Sequence, residues 1–135
     1  MDDLWELLQN EWVFLVVGYL ISIAIETPVL LAGLSSQHTW RRRLAAGIWL
    51  TACTYPIVVL VIPRIFDPKE ERIAYLSVAE TFAPAAECLL FWAAFGPLKQ
   101  PWRDLTVIVL ANLASFGFGE LLLYLLTAVP VDAAG

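Results

Sequence analysis

A chain of 135 residues has the length of one small domain, yet 60% of its residues are hydrophobic, only 16% are charged, and the mean hydropathy is +0.74. That composition excludes an ordinary soluble globule. The formal charge of −5 comes with eight basic residues, mostly in short connections, which excludes a nucleic-acid-binding face.

Residues 1–11 interleave Leu4, Trp5, Leu7 and Leu8 with Asp2, Asp3, Glu6 and Glu11. This predicts a short amphipathic helix lying at a lipid surface, with Trp5 and Trp12 at headgroup level. The acidic start lacks the positive charge of a secretory signal, and no small-residue cleavage site follows the first apolar run. That run is therefore expected to stay in the mature protein.

Four mostly apolar stretches follow, over 12–34, 44–65, 73–95 and 105–128. Each reaches the ~20 residues that a helix rising ~1.5 Å per residue needs to cross a hydrocarbon layer ~30 Å thick. The expected fold is an all-α integral membrane protein with four transmembrane helices in a single membrane domain. A first helical hairpin spans 12–62, an extracytoplasmic loop 63–72, a second helical hairpin 73–128 and a tail 129–135.

Each stretch carries a polar stripe at helical spacing. The first has Tyr19, Ser22 and Glu26, followed by Pro28; the second has Gly47, Thr51, Thr54 and Tyr55, followed by Pro56. The third has Ser77, Glu80, Pro84 and Glu87, and the fourth Asn112, Ser115, Gly119 and Glu120. Pro28, Pro56 and Pro84 are candidate kink or gating positions, because proline removes a backbone donor inside a helix. The stripes predict a bundle with a shared polar interior.

The connections carry the orientation signal. Arg41, Arg42, Arg43, Lys99 and Arg103 fall in the first and third, five of the eight basic residues. By the positive-inside rule both are cytoplasmic and both termini extracytoplasmic, in a membrane of bacterial inner or plasma type.

A shift of 61 residues carries Glu26 onto Glu87, Arg42 onto Arg103, Thr54 onto Ser115 and Tyr55 onto Phe116. This predicts two tandem hairpins in a parallel repeat, related by a pseudo-two-fold axis along the membrane normal. Counting depth along each span puts Glu26, Glu87 and Asn112 slightly to the cytoplasmic side of centre, with Thr54 and Ser115 near it. Glu80 and Glu120 fall in the outer half as a second layer that departs from the repeat.

A carboxylate at the bilayer centre costs about 2.5–3.5 kcal/mol on insertion scales, so four of them need a reason. No Lys, Arg or His lies well inside a span. The four glutamates are thus expected to be protonated, hydrated, or neutralised by a bound cation or a partner chain. Glu26, Glu87, Asn112, Thr51, Thr54 and Ser115 are the candidate cation or proton site, with Glu80 and Glu120 behind them. Neutral glutamates bonding helix to helix are the plainer reading.

Catalysis is not expected, and no catalytic residue is assigned. His38, the sole histidine, reads as an interfacial loop residue, which removes the usual partner of a nucleophile or a di-metal site. Cys53 and Cys88 lack metal or redox spacing and read as small buried residues. No cofactor is identified, since no span contains a histidine. The expected partners are the lipid bilayer and either further copies of this chain or a membrane complex. The leading function is cation or proton handling in transport or coupling. The alternative is an accessory transmembrane subunit whose glutamates meet partner helices or cofactors.

Overall fold

The computed structural model describes residues 10–128 together with Asp3, Glu6 and Gln9. The expected interfacial segment over 1–11 falls mostly outside the described residues, and the tail over 129–135 wholly outside them. The elements are α1 (Glu11–Gly33), α2 (Trp40–Pro56), a π-turn (Ile57–Val61), α3 (Ile62–Ile65), α4 (Arg72–Phe95) and α5 (Pro101–Ala128). Because α2, the π-turn and α3 run on as one rod, there are four rods of 23 to 28 residues, each long and apolar enough to cross a membrane.

Local chemistry sets the ends. The Asn10 side chain accepts the Trp12 N–H at 3.0 Å, and the Thr39 hydroxyl accepts the Arg42 N–H at 3.3 Å, so α1 and α2 each start on a capping side chain. Pro101 opens α5, where a missing N–H costs nothing. Pro97 disfavours the helical conformation at Gly96, and α4 stops at Phe95.

The three candidate kink prolines behave differently. Pro28 and Pro84 lie inside unbroken α-helices, whereas Pro56 ends regular α-helix. The Ile57 N–H reaches back only to Thr54, and the turn then widens until the Ile62 N–H closes on the Ile57 carbonyl. Pro63 also lacks a donor, which would leave the Val58 carbonyl empty in an apolar rod. The Tyr75 hydroxyl of α4 fills it, donating at 3.2 Å.

Neighbouring rods run antiparallel in a ring of order α1, α2, α4, α5. Each helix packs mainly on its two ring neighbours, and α1 is held more extensively than α4. The distribution of polarity is inverted relative to a soluble bundle. Leu20, Ile48, Leu89, Leu110 and Leu121 are exposed, while Glu26, Thr51, Thr54, Glu87 and Asn112 are buried. That inversion suits a hydrocarbon solvent, in which apolar side chains need no cover and polar ones must find partners inside.

The two halves of the interior differ. At the end holding the 34–39 and 96–100 connections, the basic end, Leu30, Leu34, Ala46, Leu50, Phe91, Ile108 and Ala111 form a closed apolar core. At the opposite end the helices leave a cavity.

Gly47 sets the α1–α2 distance beside this core. A Cβ there would stand 2.3 Å from the Thr27 hydroxyl oxygen and 3.0 Å from the Thr27 Cα, a backbone atom that cannot rotate away. Gly47→Ala is therefore expected to destabilise the detergent-solubilised protein by about 1–3 kcal/mol through forced separation of the helices. Thr27→Ala should restore part of that loss, because it removes the oxygen and leaves the backbone contact. Thermal unfolding of both variants and the pair checks this; additive effects would refute the contact.

Candidate functional site

Glu26 on α1 and Glu87 on α4 point into the ring, and only 4% and 2% of their surfaces are exposed. The Thr51 hydroxyl donates to Glu26 Oε2 at 2.9 Å and the Ser115 hydroxyl to Glu26 Oε1 at 2.5 Å. The Thr54 hydroxyl donates to Glu87 Oε1 at 2.7 Å and the Asn112 amide to Glu87 Oε2 at 2.7 Å. All four carboxylate oxygens are thus occupied. Thr51 and Thr54 stand one turn apart on α2, as do Asn112 and Ser115 on α5. Each of these helices therefore bridges both glutamates, and the six candidate residues form one closed network through all four rods.

The hydroxyls have a second choice of acceptor. Thr51 Oγ1 is 2.9 Å from the Gly47 carbonyl, Thr54 Oγ1 3.2 Å from that of Leu50 and Ser115 Oγ 3.0 Å from that of Asn112. A hydroxyl has one proton to give and lone pairs to receive another. Beside an ionised carboxylate each hydroxyl donates to it. When the carboxyl carries a proton, it donates to the hydroxyl, whose own proton turns to the helix carbonyl. Either state leaves every polar group of this network paired, which is the condition for a low cost of switching. Asn112 has no such freedom, because its second amide hydrogen goes to the Ile108 carbonyl at 3.0 Å. A proton placed on Glu87 would therefore sit on Oε1, facing Thr54.

Above this pair a cavity of about 420 Å³ opens toward the end opposite the basic connections. Its lining runs on α1 from Phe14 to Glu26 and on α4 from Tyr75 to Glu87, a depth of about 18 Å at ~1.5 Å per residue. Glu80 and Glu120 line it nearer the mouth, so all four carboxyls face one space. Of the expected third stripe, Ser77 is exposed and lies outside the lining. The expectation that none of the four has a basic partner needs correction for Glu120. Arg72, at the start of α4, donates to Glu120 Oε2 from a partly exposed position. It sits at the helix end, where a long side chain reaches the mouth without entering an apolar stretch.

Beyond the apolar core, the basic end is clasped by a second buried polar cluster. Asp104, in the first turn of α5, is fully buried. Its Oδ1 accepts the Ser35 N–H at 2.8 Å; its Oδ2 accepts the Ser35 hydroxyl at 3.1 Å and lies 3.0 Å from His38 Nε2. Arg43 holds the same connection from the other side, donating to the carbonyls of Leu31, Ser35 and His38. His38 lies in the connection as expected but does not face outward: only 2% of it is exposed, and its ring packs T-shaped on Phe91 with centroids 5.0 Å apart. The correction has a physical cause. Asp104 lies 66 residues from His38 in sequence, and only α5 docking beside α1 brings it over the loop. Nothing local in the sequence marks that meeting.

Fold and site together define a four-helix, membrane-compatible bundle with an internal carboxylate network and a one-sided cavity. Comparison with protein-family models, curated proteins and solved structures finds no match for this chain.

Proposed function

We propose that the chain is an integral membrane protein that takes up and releases protons at Glu26 and Glu87, as a transport or coupling component. One observation carries this reading: three hydroxyls that contact the two carboxylates each have a helix carbonyl as alternative acceptor. A proton suits this arrangement better than a metal cation. Among the described residues no three His, Cys, Asp or Glu side chains converge, and Asn112 turns its amide N–H rather than its oxygen toward Glu87.

The same reading includes a duplicated hairpin. The Thr51–Glu26 and Asn112–Glu87 bonds each join residues 25 apart, and the 61-residue shift exchanges them. It also exchanges the Thr54–Glu87 and Ser115–Glu26 bonds that cross between halves. A parallel pseudo-two-fold repeat accounts for both pairs at once. With the basic end in the cytoplasm, as the positive-inside bias supports, the cavity faces the extracytoplasmic side. The apolar core then separates it from the cytoplasm. The partners on this reading are the lipid bilayer and further copies of the chain or a membrane complex.

The test is reconstitution into vesicles with a trapped pH-sensitive dye and an imposed proton gradient. Wild-type protein should accelerate the collapse of the gradient, and Glu26→Gln and Glu87→Gln should each slow it by about tenfold or more, since glutamine keeps the shape but carries no exchangeable acid. Equal rates in wild type and both variants would sink the proposal.

A further inference from the structure

The cavity is far larger than proton exchange needs. About 420 Å³ falls in the range of roughly 300–1,000 Å³ typical of small-molecule sites, and exceeds the ~30 Å³ share of a single water many times over. Its walls are mainly apolar, including Phe14, Ile21, Leu76, Leu123 and Leu126, and they contain four glutamates with no Lys, Arg or His. An anion would meet acidic groups along the walls and a cation only at the mouth, where Arg72 is already held by Glu120. A neutral apolar molecule would offer Glu80 no partner, and an inorganic ion would leave the walls uncovered.

The four carboxyls are not equally available. Every oxygen of Glu26 and Glu87 already has a donor, and Glu120 is held by Arg72. Glu80 takes no hydrogen bond from any described residue and lies in the cavity wall, near Glu120 and two turns above Glu87. Tyr55 and Phe116 line the same space, and aromatic rings attract cations.

We propose that this cavity binds an organic cation, an onium group carrying an apolar body, with Glu80 as its counter-charge. The body replaces water along the apolar walls, and the cation supplies Glu80 with the partner that the described residues do not. This goes beyond the proton reading and stands on a different residue, so the two can fail separately.

Tetraphenylphosphonium and tetraphenylborate are nearly the same size and shape and differ in sign of charge. Calorimetric titration of the detergent-solubilised protein should detect the phosphonium and find the borate at least about a hundredfold weaker. Glu80→Gln should weaken phosphonium binding by about tenfold or more. Ala83→Phe, which fills the wall one turn from Glu80, should weaken it similarly without touching a carboxyl. It keeps the test decisive where Glu80→Gln does not elute as a single species. Equal binding of the two ions, or wild-type affinity in a folded Glu80→Gln or Ala83→Phe protein, would overturn the proposal. Phosphonium binding that persists while gradient collapse ignores Glu26 and Glu87 would remove the proton reading alone. The reverse pair of results would remove the cation site alone.

Discussion

Asp104→Ala is expected to lower the unfolding free energy of the detergent-solubilised protein by about 3–5 kcal/mol, because it strands the several buried donors that its carboxylate receives. The Asp104 carboxylate has no exposed surface. It receives the Ser35 N–H and hydroxyl and contacts the His38 ring. Alanine leaves those groups buried without an acceptor, at about 1–3 kcal/mol for each donor stranded. It also removes an acid from the first turn of α5, where the helix dipole favours negative charge. Arg43 does not compensate, because all its bonds go to backbone carbonyls. Asp104→Asn keeps an oxygen for the Ser35 N–H and should lose about half as much. Chemical unfolding of the three proteins in one detergent decides it. Asp104→Ala within 1 kcal/mol of wild type would mean that the clasp does not hold the basic end.

Phe91→Ala is the second large change. Phe91 is 1% exposed at the centre of the apolar core, between Glu87 one turn away and the His38 ring. In a soluble core such a truncation costs about 3–5 kcal/mol, from lost transfer energy plus the void. In a bilayer the separated helices remain in hydrocarbon, so the transfer part largely falls away and the void dominates. The expected loss is therefore about 2–3 kcal/mol. The functional consequence should be larger than the structural one. The void would thin the barrier between the carboxylate pair and the buried clasp. Vesicles holding Phe91→Ala should leak protons faster than wild type, by about tenfold, and Phe91→Leu should leak little. An unfolding midpoint shifted as expected with no added leak would show that the barrier lies elsewhere.

Much of the architecture was legible before any coordinate. Helices in apolar solvent satisfy their backbones internally, so length and hydropathy suffice to mark four rods. One boundary moved where a cap acts: α2 begins at Trp40 on the Thr39 cap rather than at Leu44, while the rod ends at Ile65, where the apolar stretch does. The six residues expected to gather do so, because polar side chains in an apolar rod can find partners only across the ring, and a period of 3.6 tells which face they share.

Other features were not legible, and each depends on residues far apart in the chain. The burial of His38 draws on an aspartate 66 residues away and on Phe91 of another rod. The ion pair of Glu120 needs Arg72, 48 residues off, at the mouth of the same cavity. The Val58 carbonyl is rescued by a tyrosine of the next rod. Periodicity ranks the faces of single helices, and so it was enough for the rods and the carboxylate pair. Which carboxyls are tied and which takes no bond from a described residue, and which half of the interior is filled, depend on how the four rods dock. That is decided by close contacts such as Gly47 against Thr27 and by partners that no local pattern encodes.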